Sequence, residues 1–205
     1  MSPELDIKPI LNSLHLPKYL EAIQQAWEEE QKKRHAFWKE IDESVKAEFI
    51  NGIGVYDSPV YGRHWQASSN ILTELLPHVK HNALGRVGVE KVMIRCTRND
   101  YEPDICFWRK EIADTFEETQ SAFPPPNFII EILSKSTEER DRGIKFQDYA
   151  LHGVEEYWLV DVANNCIEQY YLKGNEFQLH IKASSGELVA KTIQGFKLNI
   201  LDVFR

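Results

Sequence analysis

The chain has 205 residues, of which 42% are hydrophobic and 27% charged, and its formal net charge is −8. These values exclude a disordered or fibrous chain, and the length fits one domain with room for an appendage. The acidic balance argues against a protein that merely coats nucleic acid.

No stretch reaches the roughly 20 apolar residues of a membrane span. The first ten residues, MSPELDIKPI, carry neither a basic nor an apolar leader region, so a cytoplasmic protein without membrane attachment is expected. Cys96, Cys106 and Cys166 are odd in number and show no CxxC spacing. They read as buried thiols in a reducing compartment rather than as a zinc site.

Taken in chain order, residues 16–41 predict a long helix, with apolar positions at Leu16, Leu20, Ile23, Trp27, Phe37, Trp38 and Ile41 near helical period. Its apolar surface calls for packing on the core or for a two-fold homodimer. AEFINGIGVYD places Asn51-Gly52 between two short apolar runs, a hairpin signal. Residues 61–82 return to a helical pattern. VGVEKVMIRC and PDICFW read as two strands separated by Thr97–Asp100. The polar stretch RKEIADTFEETQSAFPPPN reads as a surface loop. The apolar run at 128–133 reads as a buried strand. A helix follows, with Ser136 and Glu139 in capping-box spacing, a stripe of Phe146, Tyr149 and Ala150, and Gly153 at its end. EYWLVDV is a strand, IEQYYLKGNEFQLHIKA is two strands about Gly174-Asn175, and KTIQGFKLNILDVF adds one or two short elements. The order predicts α and β elements around one central sheet, flanked late by antiparallel strands.

Between Val60 and Asn99 six Lys/Arg face two Glu, and three of the seven histidines fall there, His64, His78 and His81. A local basic face of this kind suits phosphate even in an acidic chain. His64, near a helix start, reads as a capping or surface residue first and a phosphate contact second.

Glu131 stands inside an apolar strand, where a carboxylate survives only if paired, metal-bound or open to a cleft. Alternation sets Ile129, Glu131 and Leu133 on one face and Phe128, Ile130 and Ile132 on the other. Asp104 opens the DICFW run directly after Pro103. Two carboxylates on neighbouring strands suit a hard divalent cation, which takes oxygen ligands and activates a water. Arg142 and Lys145, three apart on the next helix, share a face and can turn positive charge toward the carboxylates.

The string PDI at 103–105, followed by IEILSKSTEERDRGIKFQDYALHGVEEYWLVD at 130–161, resembles the Uma-two family of endonucleases within the restriction-endonuclease-like PD-(D/E)XK superfamily. EFINGIG at 48–54 resembles the hairpin that opens the family's domain. The resemblance implies an α/β restriction-endonuclease-like domain over 45–205, after a helical extension over 1–44. It implies Mg²⁺, with Mn²⁺ as a substitute, held by Asp104 and Glu131, with Glu48 as a third acidic group and DNA as substrate. The superfamily's usual lysine position, two residues after the Glu, is Leu133 here. The resemblance implies that Lys145 supplies that cation, with Lys135 as the competitor. Arg142 and His64 are the candidate DNA contacts. The rival expectation is a nucleic-acid-binding or interaction module on the same fold, without turnover. A glycosidase using Glu131 and Asp104 leaves Lys145 without a role.

Overall fold

The structure is a computed structural model that describes residues 7–42 and 44–205, so the leader reading of the first ten residues falls mostly outside the described residues. A single turn of helix, α1 (Lys8–Leu11), precedes the 25-residue α2 (Leu16–Glu40). Pro17 sits in the first turn of α2, where its missing N–H has no partner to lose. The C-terminal half of α2 lies on the protein and buries Arg34 and Phe37, whereas Tyr19, Leu20, Ile23 and Trp27 of its N-terminal half are exposed.

The hairpin of β1 (Ala47–Ile50) and β2 (Ile53–Tyr56) turns through Asn51 and Gly52. Both have positive φ, 49° and 81°, as a two-residue primed turn requires. Then come α3 (Gly62–His81), β3 (Gly85–Val89), β4 (Met93–Arg95), β5 (Asp100–Tyr101) and β6 (Ile105–Arg109). VGVEKVMIRC is therefore not one strand. Glu90 adopts φ 58° between β3 and β4, its N–H is held by the Asp104 carbonyl at 2.9 Å, and the two strands enter different sheets.

The stretch expected to be a plain loop holds α4 (Lys110–Ala113) and β7 (Ala122–Phe123). Its apolar residues explain the order: Phe116 and Phe123 stack edge-on with each other and pack against Trp108. β8 (Phe128–Ile132) follows, then α5 (Glu138–Arg142) and α6 (Ile144–Leu151). The sequence predicted one helix here. Gly143, at φ −108° and ψ −100°, breaks it. The capping box is also absent: Thr137 is the N-cap, and the Ser136 hydroxyl bonds Ser134 instead. Gly153 has φ 79° and ends α6 as expected. The chain finishes with β9 (Glu156–Asp161), β10 (Cys166–Lys173), β11 (Glu176–Ala183), β12 (Glu187–Val189), β13 (Lys197–Asn199) and α7 (Ile200–Val203).

The architecture is mixed α/β, with two larger sheets rather than one. One has the order β11-β10-β9-β8-β6-β3, and the other β2-β1-β5-β4-β7. The late antiparallel strands β10 and β11 thus extend the central sheet instead of flanking it. Period-two alternation on β8 divides the core. Phe128, Ile130 and Ile132 face α3 residues Ile71, Leu75 and Val79 in one cluster. Ile129 and Leu133 join Tyr149 and Tyr157 in another. Each fully buried aliphatic side chain contributes roughly 1.5–3 kcal/mol of transfer free energy. Glu131 alternates onto the second face, among these apolar neighbours. All three cysteines are buried free thiols.

Candidate functional site

Six elements, β1, α3, β6, β8, α5 and α6, bring the charged residues together. β6 and β8 pair antiparallel with Ile105 opposite Ile130, and one step further along that register Asp104 faces Glu131. The backbone N–H of Asp104 donates to Glu131 Oε2 at 3.2 Å, and the N–H of Ile132 donates to Asp104 Oδ2 at 2.8 Å. Both carboxylates line one cavity of about 240 Å³ with Lys46, His64, Ser134, Asp141 and Lys145.

Lys145 reaches this cavity from α6. Its ammonium lies 2.7 Å from Glu48 Oε1, 3.1 Å from Glu131 Oε1 and 3.2 Å from Asp141 Oδ1. Tyr149, one turn on, donates to Glu131 Oε1 at 3.1 Å. Glu48 comes from β1 and sits behind Lys145, fully buried. Its Oε1 also accepts the N–H of Glu102, while Oε2 has no hydrogen-bond partner. Asp104 is held from the other side, by Lys46 at 2.7 Å on Oδ1 and by His64 Nε2 at 3.1 Å on Oδ2.

The electrostatics follow from burial and unequal pairing. Burial raises the Glu131 carboxyl above its ordinary value, Lys145 offsets this in part, and Asp141, Asp104 and Glu48 raise it further. Burial also raises Glu48 against the pull of Lys145. Burial alone would lower the Lys145 ammonium, but the carboxylates around it hold it well above the usual lysine range. Asp104 goes the opposite way from Glu131: burial would raise it, but His64 and Lys46 outweigh that and hold it well below. His64 is likewise raised, its burial outweighed by Asp104. Four carboxylates (Glu48, Asp104, Glu131, Asp141) surround two ammonium groups (Lys46, Lys145) and the His64 imidazole, so acids outnumber bases. That surplus, the all-oxygen acidic donors at the cavity and the unpartnered buried oxygen of Glu48 fit a hard divalent cation.

A second group has metal-like spacing. Among the described residues Cys96, Asp148 and His152 bring three ligand atoms within 4.8 Å of one another. The His152 and Asp148 atoms are already committed. His152 Nδ1 meets Asp148 Oδ1 at 3.0 Å and its Nε2 accepts from the Thr97 N–H at 2.9 Å, while Asp148 Oδ2 accepts from Asn99 and Tyr101, each at 2.7 Å. This network ties the turn at 97–99 to α6.

The sequence of residues 29–201 matches the pattern of the Uma2 family, described as "Putative restriction endonuclease". The chain belongs to the Uma2 family. Among solved structures it is similar to a "putative nuclease belonging to DUF820" from Anabaena variabilis, with a TM-score of 0.70 and 20% identity over 82% of this chain and 94% of that one. That likeness shows a shared fold of mixed sheets and helices. No curated protein matches the chain. Uma2 membership supports a nuclease function, with nucleic acid as substrate and a divalent metal in use. No helix of the described residues is long and apolar enough to cross a membrane.

Of the residues singled out from sequence, Asp104, Glu131, Lys145 and Glu48 converge, and His64 joins them. His64 is buried, not a surface or capping residue, and the N-cap of α3 is Tyr61. Arg142 does not converge. Gly143 turns α5 out of line with α6, so the shared face with Lys145 is lost, and Arg142 instead forks onto Glu168 of β10 at 2.8 and 3.2 Å. Lys135 is exposed at the end of the strand. Leu133 is buried in the core. Two members of the site were not anticipated. Lys46 stands just before β1, where a lysine breaks no pattern of the sequence. The Tyr149 hydroxyl was hidden because its ring reads as part of an apolar stripe.

Proposed function

We propose that the chain is a Mg²⁺-dependent endodeoxyribonuclease that hydrolyses a phosphodiester, with Asp104 and Glu131 as metal ligands and Mn²⁺ as a substitute. One observation carries the reading: in an Uma2 chain, Asp104, Glu131 and Lys145 line a single cavity although the usual lysine position is Leu133. The ion supplies a water of lowered pKa as nucleophile. Glu48 and Asp141 hold the Lys145 ammonium against Glu131, so it lies beside the carboxylate from another element of the fold. There it offsets the negative charge that develops on the scissile phosphate. Lys46 and His64 orient Asp104 from the opposite side. The division into an extension over 1–44 and a nuclease domain over 45–205 belongs to this reading. So does a two-fold dimer through the apolar stripe of α2, whose Leu20, Ile23 and Trp27 are exposed.

A plasmid-nicking assay tests it. With Mg²⁺ the protein nicks, Asp104→Asn is inactive, and Lys145→Ala falls by about 10²–10³-fold. Cleavage by Asp104→Asn at the normal rate overturns the metal assignment. A second reading, a DNA-binding module without turnover, draws on the Lys46 ammonium at 2.7 Å from Asp104, a built-in cation beside one proposed ligand. DNA binding with no nicking under any divalent metal would favour it.

A further inference from the structure

Next to the carboxylate cavity lies a wider cleft of about 490 Å³, within the roughly 300–1,000 Å³ typical of ligand sites. The two share Tyr61, His64 and Ser134. Leu133, 5% exposed, contributes an apolar floor, and Arg63 and Lys135 line it as exposed cations.

Four features of this cleft point to one kind of ligand. First, neither Arg63 nor Lys135 has a hydrogen-bond or ion-pair partner among the described residues, whereas the acids of the cleft are already engaged. Glu138 accepts from Arg142 at 2.8 Å, and Asp161 Oδ1 accepts the N–H groups of Ala163 and Asn164 at 3.0 Å each. The side chains left without a partner are therefore the two cations, in a chain whose net charge is −8. Second, α3 starts here with no side-chain cap and no acidic residue in its first turn. Its free N–H groups and dipole favour an anion, as at other helix N-termini that hold phosphate. Third, Tyr61 lines the cleft and is 81% exposed. A bare aromatic ring at the mouth of a charged cleft offers stacking surface. Fourth, His64 is 5% exposed and lines both cavities, and its buried Nδ1 has no partner.

We infer that this cleft seats one unpaired nucleotide adjacent to the phosphodiester at Asp104 and Glu131, its base stacked on Tyr61 and its phosphate between Arg63 and Lys135. The inference rests on the nuclease reading and adds the substrate class: single-stranded or locally unpaired DNA. A base inside an intact duplex has both faces covered and cannot use the Tyr61 ring. Leu133 then has a role of its own. It gives the cleft an apolar floor where the superfamily's usual position holds a lysine.

Fluorescence anisotropy with labelled oligo-dT and with a duplex of equal length, in Ca²⁺ and without divalent metal, tests the inference apart from cleavage. The protein binds the single strand more tightly. Tyr61→Ala lowers single-strand affinity about tenfold and duplex affinity less than about twofold, and Tyr61→Trp restores it, because any aromatic face stacks. Arg63→Ala and Lys135→Ala each reduce the slope of log affinity against log salt by about 0.7 for the single strand. Tyr61 and Lys135 are exposed, so circular dichroism of these variants matches the unmutated chain. Equal losses on both probes with Tyr61→Ala, or tighter duplex binding by the unmutated chain, overturns the inference. Tyr61-dependent single-strand binding without any nicking leaves it standing and removes the nuclease reading. Nicking that is unaffected by Tyr61→Ala, with unchanged oligo-dT affinity, removes the inference alone.

Discussion

Arg34 of α2 and Lys145 of α6 are both buried cations, and the protein treats them in opposite ways. Arg34 meets one carboxylate. Its Nε and Nη2 fork onto Asp100 at 2.7 and 2.6 Å, and its remaining donors reach the carbonyls of Thr97, Cys96 and Asn99. Trp38 completes Asp100 from the side at 2.8 Å. The pair is closed, with the exposed Arg95 as a more distant second cation 3.7 Å from Asp100. Lys145 meets three carboxylates at once, leaves Glu48 Oε2 unpartnered and stands beside an open cavity. Paired charge with every group satisfied marks a clamp, whereas surplus charge facing a cavity marks a place prepared for something else. The two are connected. Asp100 pairs with Phe49 in the sheet, so the Arg34 clamp steadies β1 and with it Glu48.

Removing the cation of the closed pair gives the largest effect. Arg34→Met leaves buried Asp100 with only the exposed Arg95 at 3.7 Å as a cation, and chemical denaturation should show a loss of about 3 kcal/mol. A loss below about 1 kcal/mol would show that α2 contributes little to holding the sheet. The open site should respond with the opposite sign. Glu48→Gln keeps both hydrogen bonds through Oε1 and removes one surplus buried charge. Metal-free stability should therefore rise by about 1 kcal/mol, while the nicking rate falls because Lys145 is held less firmly. A loss comparable to that of Arg34→Met would erase the distinction between clamp and site.

The contrast also explains what the sequence discloses. Glu131 stands out because a carboxylate in FIIEI violates the apolar pattern of its own strand, and Asp104 because it follows Pro103 at a strand start. A residue that breaks a local rule is visible without coordinates. Lys46 breaks none: a lysine before a strand is ordinary, and only the pairing of β1 with β5 brings it near Asp104. The division into two sheets is hidden for a related reason. Nothing in VGVEKVMIRC announces that Glu90 takes a left-handed turn, since glutamate has no preference for positive φ. Gly143 was visible as a residue, but the cap pattern before it and the apolar stripe after it read as one helix, so its break and the displaced Arg142 required the fold.

The smallest expected effect sharpens the placement of Arg142. Glu168 is the carboxylate that takes its fork, and Lys182 and Tyr170 also donate to it. Burial would raise its carboxyl, but these three donors outweigh it and bring it from an ordinary 4.5 to about 2. A carboxyl lowered in the folded state contributes stability that is complete above its unfolded value and disappears as pH falls through its folded value. Glu168→Gln should thus be less stable than the unmutated chain at pH 7 by about 1 kcal/mol, a discounted figure for a pair whose cations are partly exposed. That difference should shrink between pH 4.5 and about 2 and should weaken with added salt. A difference that stays constant across this range in urea titrations means that packing, not charge, links β10 to α5. Because Arg142 spends its fork on Glu168, Arg142→Ala should leave oligo-dT binding nearly unchanged. A loss as large as that of Arg63→Ala would return it to the DNA-contacting surface.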